Sequence, residues 1–342
     1  MKRSRLRGTL NRVEETLRRT FEEKMRKLEE ACNGERCVLI RRDNVKWAAH
    51  FPGLAFYADF EEERYALLVP KMDLPAVREW PIPEEVEVLE REEARDLPPA
   101  RVSDSRRAPE YVPCYRLKVS SSVRNVKLSK TKGEVEAIRG LVEVTEGILR
   151  SLIPEEGRAE SEVAAELAAR SRELGISPSF DPIVGYDEGS GVPHHRPSPD
   201  RREWRHTMLV DFGLRYVYCT DVTRTVCAEE GDAVPVLETV CEALERALGE
   251  LRAGVDPKEV EERVREEMEG EFRDFTFPHS LGHHVGVTVH EGRLRGELPE
   301  GAVITVEPGL YSERFGVRVE EMVVVRGNGC EVLTSLPREW IV

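Results

Sequence analysis

Four acidic residues interrupt apolar runs in the carboxy-terminal two-thirds of this 342-residue chain, and they constrain its fold more than any other feature. Asp211 follows Met208 to Val210, and Asp221 precedes Val222 to Val226. Glu307 closes the run Ala302 to Val306 and is followed by Pro308 and Gly309, while Glu320 follows Gly316 to Val319. Apolar residues alternating with polar ones predict strands, so each acid is expected on or beside a mostly buried strand. The runs 206–213 and 216–226 read as an antiparallel hairpin centred near Tyr216, with Asp211 and Asp221 opposite one another across the ladder. A buried carboxylate is costly unless paired or bound to metal. Two like charges about 4 Å apart repel by roughly 4 kcal/mol at an effective dielectric near 20. Clustered acids of this kind need cations or must take up protons.

Singly, each acid has an ordinary reading as a strand-end residue bonded to backbone or to an arginine. The set of four, joined by a histidine, points to a metal centre. Of the eight histidines, His194, His279, His283, His284 and His290 lie in loop or strand-edge contexts. His283 sits within Ser280 to Gly286, where flanking glycines permit close backbone approach. Four carboxylates and one imidazole make an oxygen-rich donor set, suited to pairs of Mn, Co, Fe or Zn ions. Two ions about 3.5–4 Å apart can share a hydroxide, polarise a carbonyl and stabilise a tetrahedral intermediate.

The segments VDFG (210–213), CTDVTRT (219–225), HSLGHHVG (279–286) with VHEG (289–292), VITVEPGLY (303–311) and GVRVEE (316–321) occur in that order. Together they resemble the pita-bread metallopeptidases, which include methionine aminopeptidase, Xaa-Pro aminopeptidase and Xaa-Pro dipeptidase; the resemblance covers about residues 120–342. It implies an α+β pita-bread catalytic domain, an antiparallel sheet with helices, and two divalent ions. Asp211 would bind one ion, Asp221 and Glu320 would bridge both, and His283 and Glu307 would complete the other. Glu307 would also serve as general base or proton shuttle. The resemblance further implies that His194 contacts substrate or its amine, that His290 supports the scissile carbonyl and intermediate, and that His279 contacts substrate. Strand periodicity puts Arg318 on the face of Glu320, where it is expected to hold that carboxylate, and Thr223 on the face of Asp221, to which it is expected to donate. The chain departs from the family pattern in a hairpin about one residue shorter, in His284 where a glycine is usual, and in a short connection from His290 to Glu307.

The remaining sequence indicates two domains, in keeping with the length. Residues 1–31 read as one long helix carrying Leu6, Leu10, Val13, Leu17, Phe21, Met25 and Leu28 on a single stripe. Strand-like runs at 37–40, 65–69 and 86–89 make residues 1–125 a smaller α/β domain, like the amino-terminal domain of the proline-specific members only in its order of elements. A connection rich in proline and arginine spans 97–115, and Thr131 with Glu134 forms a capping box opening a helix over 131–152. Further helices are expected at 159–174, 233–253 and 257–270, and strands at 285–289, 302–307 and 316–325, completing a catalytic domain over 126–342. A domain ahead of the catalytic unit favours a proline-specific dipeptidase or aminopeptidase. The alternatives are a methionine aminopeptidase-type exopeptidase, a non-catalytic binding protein on the same fold, and a metal-free hydrolase of the creatinase type.

Composition narrows the partners. A net charge of -14 argues against nucleic acid, whose phosphates this field would repel. No run of about 18 apolar residues predicts a membrane span, and Lys2, Arg3, Arg5 and Arg7 lead into no apolar signal core. A cytoplasmic protein acting on peptides is expected. The seven cysteines show no metal-binding spacing and read as reduced or buried thiols, with a Cys32–Cys37 bridge as the alternative. The amino-terminal stripe and the habit of the proline-specific branch suggest a homodimer.

Overall fold

The computed structural model describes residues 3–51, 53–77, 80–105, 112, 114–151 and 157–342. Residues 106–111 and 113 of the expected connection, 1–2 of the first helix and 152 of the capped helix lie outside the described residues. The chain forms two compact units, one of residues 12–137 and the other of residues 1–11 with 138–342.

The 12–137 unit holds a six-stranded mixed sheet in the order Val86–Glu90, Arg64–Val69, Ala55–Asp59, Cys37–Leu39, Ala100–Ser103 and Cys114–Val119. The three middle pairings combine antiparallel and parallel ladders, as the alternation of short strands with helices requires. Val38, Tyr57, Ala66 and Leu68 bury one face of it with Leu97 and Val112.

The expected single helix at the amino terminus is two helices, Arg3–Arg19 and Phe21–Cys32. Thr20 causes the break. Its hydroxyl and its own N–H both donate to the Leu17 carbonyl, at 2.7 and 3.2 Å, drawing that acceptor away from the helix ladder. The apolar stripe survives the break, and all seven of its residues are buried within the chain. It therefore presents no face for a coiled-coil partner. The capping box forms as expected: Glu134 N–H donates to Thr131 Oγ1 at 3.3 Å, and Thr131 N–H donates to Glu134 Oε2 at 2.8 Å. All seven cysteines are free thiols.

The larger unit has two main sheets, each backed by its own helices and its own core. The first orders Trp340–Ile341, Val222–Cys227, Thr207–Phe212 and Ile183–Tyr186. Met208, Val210 and Phe212 from it pack with Leu141, Val144 and Ile148 of helix Lys132–Leu149 and with Val163 and Leu167 of helix Glu160–Glu173. The second orders Gly292–Arg293, His283–His284, Val303–Val306, Glu321–Arg326 and Gly329–Val332. It packs on Val236, Leu237, Val240 and Leu244 of helix Ala233–Glu250 and Val260 and Val264 of helix Pro257–Glu271. With a core behind each sheet, strands such as Thr207–Phe212 are buried on both faces, and acids between the sheets are shut away from water. Among the described residues no helix is long and apolar enough to cross a membrane.

Candidate metal centre

The hairpin that carries the first two acids is built one residue later than its sequence suggests. Asp211 pairs with Thr223 and Phe212 with Val222, so Asp221 lies diagonally across from Asp211 instead of opposite it. The connection explains the shift. Leu214–Arg215 leaves the hairpin to pair with Ser177–Pro178, and Cys219 N–H is drawn to Gly286 O at 2.7 Å. Diagonal neighbours on one face of a ladder still converge.

The other two acids sit where strands stop. Glu307 directly follows Val303–Val306, its N–H donating to Leu281 O at 2.9 Å. Glu320 lies in a two-residue gap between Gly316–Arg318 and Glu321–Arg326, so the run expected as one strand over 316–325 is two. In that gap Glu320 N–H donates to Thr223 O at 3.1 Å, which stitches the second sheet to the hairpin. His283 opens the two-residue strand His283–His284. A Cβ on the preceding Gly282 would come within 2.0 Å of Thr305 O, so only glycine lets His283 approach Val303–Val306 this closely.

Ligand atoms of Asp221, His283 and Glu320 all lie within 4.8 Å of one another. His283 Nε2 is 3.4 Å from Asp221 Oδ2 and 3.6 Å from Glu307 Oε1. Its other nitrogen, Nδ1, donates to the His284 carbonyl at 3.2 Å, which leaves the Nε2 lone pair free for a metal. Burial, and then repulsion from Asp211 and Glu307, holds Asp221 well above the ordinary carboxylate range. Burial and the charge of Asp221 do the same to Glu320, and burial raises Glu307. Asp211 Oδ1 and Asp221 Oδ1 are buried with no hydrogen-bond partner. Buried orphan oxygens in a crowd of four carboxylates, faced by a lone-pair nitrogen, fit divalent cations by charge and by donor type.

Two expected supports are rearranged. Arg318 was expected to hold Glu320; its Nη2 instead donates to Asp211 Oδ2 at 2.7 Å, because the strand ends at Arg318 and the chain turns before Glu320. Thr223 was expected to donate to Asp221, but its hydroxyl donates to Glu320 Oε2 at 2.8 Å and accepts from Arg318 Nε at 3.2 Å. Three residues given no role from sequence also join the site. Thr305 Oγ1 donates to Glu307 Oε1 at 3.2 Å and accepts from His283 N–H at 3.1 Å. Arg224 Nη1 donates to Glu320 O at 2.6 Å. The Tyr311 hydroxyl accepts from Arg318 Nη1 at 2.8 Å and donates to His279 Nε2 at 2.8 Å. The position of Thr305, two residues before Glu307 on a strand, was a usable signal; the reach of Tyr311 and Arg224 was not legible.

His194, His279, His283, His290, Asp211, Asp221, Glu307, Arg318 and Glu320 all line one cavity of about 750 Å³, with Phe180, Pro182 and Ile183 as an apolar wall. The His290 ring lies 4.3 Å from the His283 ring, and burial and the charges of His283 and His194 hold it below its ordinary value. Burial, with the Arg318 charge, pushes His279 down to about 3, so this ring is neutral and its Nδ1–H donates to Ser280 O at 3.0 Å.

Two helix-backed sheets that close acids and a histidine beneath a peptide-sized cavity define a metal-dependent hydrolase. The chain belongs to metallopeptidase family M24, whose sequence model matches residues 136–327. It is 34% identical over 235 residues to a Xaa-Pro dipeptidase of Pyrococcus furiosus, covering 65% of this chain and 67% of that one. It is 33% identical over 240 residues to a Xaa-Pro dipeptidase of Pyrococcus horikoshii, covering 66% and 67%. The fold superposes on an X-Pro aminopeptidase of Thermotoga maritima with a TM-score of 0.77 at 29% identity, over 92% of this chain and 99% of that one. On the Pyrococcus furiosus prolidase the TM-score is 0.73 at 27% identity, over 91% and 99%. The architecture is the pita-bread fold of these peptidases.

Proposed function

We propose that this metallopeptidase hydrolyses the bond between an amino-terminal residue and proline in dipeptides or short peptides. In this reading it uses two divalent ions of the manganese, cobalt, zinc or iron class. Asp211, Asp221, His283, Glu307 and Glu320 would hold these ions, with Asp221 and Glu320 as the ligands shared between them. The observation that carries the reading is the pair of orphaned buried oxygens, on Asp211 and Asp221, in a cavity lined by five histidines. The names of the relatives supply the proline preference.

Bound ions supply Lewis acidity toward the scissile carbonyl and lower the pKa of water. The rest is the work of side chains. Arg318 fixes one oxygen of Asp211 and leaves the other without a hydrogen-bond partner. Thr223 donates to one oxygen of Glu320, and Thr305 to one oxygen of Glu307. A proline amide nitrogen carries no hydrogen and leaves only once protonated, and Glu307 at the cavity floor is the group that carries this proton. His290, beside His283, donates to the oxygen of the carbonyl as it gains charge. His194 contacts the substrate amine, and His279, held by Tyr311, contacts the peptide beyond it.

The test has two arms. Elemental analysis of protein reconstituted with Mn, Co or Zn should find two ions per chain, and no stoichiometric metal would end the reading. Metal-loaded protein should cleave Ala-Pro or Ala-Pro-Ala, and preference between them separates dipeptidase from aminopeptidase. Turnover of Met-Ala with neither proline peptide cleaved would move the chain to the methionine aminopeptidase class.

A further inference from the structure

Glu160 is the first residue of helix Glu160–Glu173 and is completely buried. A carboxylate in that position must have its oxygens filled by donors, and here three hydrogen bonds converge on it, with Arg201 Nε 3.8 Å from Oε1 as an ion-pair partner. Tyr186 N–H donates to Oε1 at 2.7 Å. His195 Nε2–H and Ser198 N–H both donate to Oε2, each at 2.7 Å. Backbone bonds from Ser161 N to Ser198 O and from Glu160 N to Arg201 O, both at 3.1 Å, lie alongside. Tyr186 ends the strand Ile183–Tyr186, so one carboxylate gathers both ends of the segment 187–198. Space at this junction is filled: a Cβ on Gly189 would lie 2.8 Å from Glu160 Oε1 and 3.0 Å from His195 Nε2.

His194 is exposed and lines the cavity, which the half-buried His195 beside it also lines. Among the described residues no hydrogen bond or ion pair holds the His194 ring. Its neighbours on either side are held instead. Arg318 Nη1, which also meets the metal centre through Nη2, donates to Pro193 O at 3.4 Å, and His195 is tied to Glu160. The direction of His194 is thus set by the backbone between two anchors.

We propose that the Glu160–His195 hydrogen bond is a positioning device that holds the 187–198 segment so that His194 faces the substrate, and that this bond governs substrate affinity. The substrate role of His194 rests on the function proposed above; the anchoring of the segment does not.

The decisive comparison is between two amides. Gln places its amide nitrogen where histidine carries Nε2, so His195→Gln keeps a donor within reach of Glu160, whereas His195→Asn is one atom short. With metal-loaded full-length protein and Ala-Pro, His195→Asn should raise KM roughly 10–100-fold while kcat changes far less. His195→Gln should stay within a few fold of wild type, and both should keep wild-type metal content. In a His194→Ala background, His195→Asn should add little further, since it acts through the residue already removed. Amide exchange across 187–198 should quicken in His195→Asn and not in His195→Gln, a readout that needs no turnover. An unchanged KM and unchanged exchange in His195→Asn would overturn the proposal, as would a Gln variant as impaired as the Asn variant, or a full additional effect in the His194→Ala background. If His195→Asn does not fold, exchange in His195→Gln still decides, because rapid exchange there means the donor does not hold the segment. Wild-type protein inert on Ala-Pro would sink the substrate assignment alone, leaving the anchoring to the exchange result.

Discussion

Arg318 reaches Asp211, not the nearer-in-sequence Glu320, and the 2.7 Å bond between them is buried at the floor of the cavity. Its guanidinium also donates to the Thr223 hydroxyl, the Tyr311 hydroxyl and the Pro193 carbonyl, so of the clustered acids it meets a single oxygen of Asp211. It thereby orients a metal-binding candidate while leaving the other oxygen, Asp211 Oδ1, without a partner.

Replacing Arg318 with Gln should therefore weaken divalent-ion affinity by about 10–100-fold, the usual effect of removing a group that orients a ligand. Titration of metal-free protein followed by calorimetry measures this directly. Affinity equal to wild type would show that Asp211 is oriented without it.

Asp221 is crowded by Asp211 and Glu307 in the absence of ions. Asp221→Asn should remove bound metal, or leave one ion loosely held, and yet raise the melting temperature of metal-free protein by relieving like-charge repulsion. It should also abolish the added stability that metal gives wild type. A metal-free variant less stable than metal-free wild type contradicts this account.

His290 and Asp211 should separate chemistry from metal binding. His290→Ala is expected to lower kcat by about 10²–10³ while both ions stay bound, as for loss of one preorganised donor. Asp211→Ala should lose metal and activity together. Loss of metal in His290→Ala would make that residue part of the binding set.

In the 12–137 unit, Lys24 and His50 are fully buried and meet at 2.6 Å, with Lys24 Nζ donating to His50 Nε2 and to Trp47 O. Burial, opposed by Glu134 and aided by Lys27, brings Lys24 from 10.5 down to about 8. Burial, then the charges of Lys24 and Lys46, lowers His50 well below 6.5 against the opposing bond to Pro81 O. For both groups the unfolded chain binds more protons, so stability rises with pH through each window. The Lys24 contribution amounts to about 3 kcal/mol recovered between pH 8 and 10.5. Stability owed to His50 is present above pH 6.5 and is lost as pH falls below that unfolded value. Denaturant melts of wild type and His50→Asn, whose asparagine suits the left-handed backbone at φ 63°, test this. The variant should lose the slope below pH 6.5, and an unchanged slope would assign it elsewhere.

The acids Asp211, Asp221, Glu307 and Glu320 stood out because a charged residue inside an apolar run is a local anomaly, visible without knowing what lies opposite; His283 stood out by its flanking glycines, and the separate ligand roles came from the family resemblance. The same holds for the amphipathic helices and the Thr131–Glu134 cap, whose periodicity and spacing are properties of a few consecutive residues. What only the tertiary structure decided are contacts whose partners lie far along the chain. The ladder paired Asp211 with Thr223 because a strand at Ser177 and a loop at Gly286, both distant in sequence, drew the connection aside. The two-residue gap at Glu320 sent Arg318 to Asp211. Glu160 found His195 thirty-five residues on, through the folding of a loop. Strand periodicity tells which face a residue takes, but the register and the loop closures that choose its partner are set by packing of the whole unit, and no short window of sequence contains them.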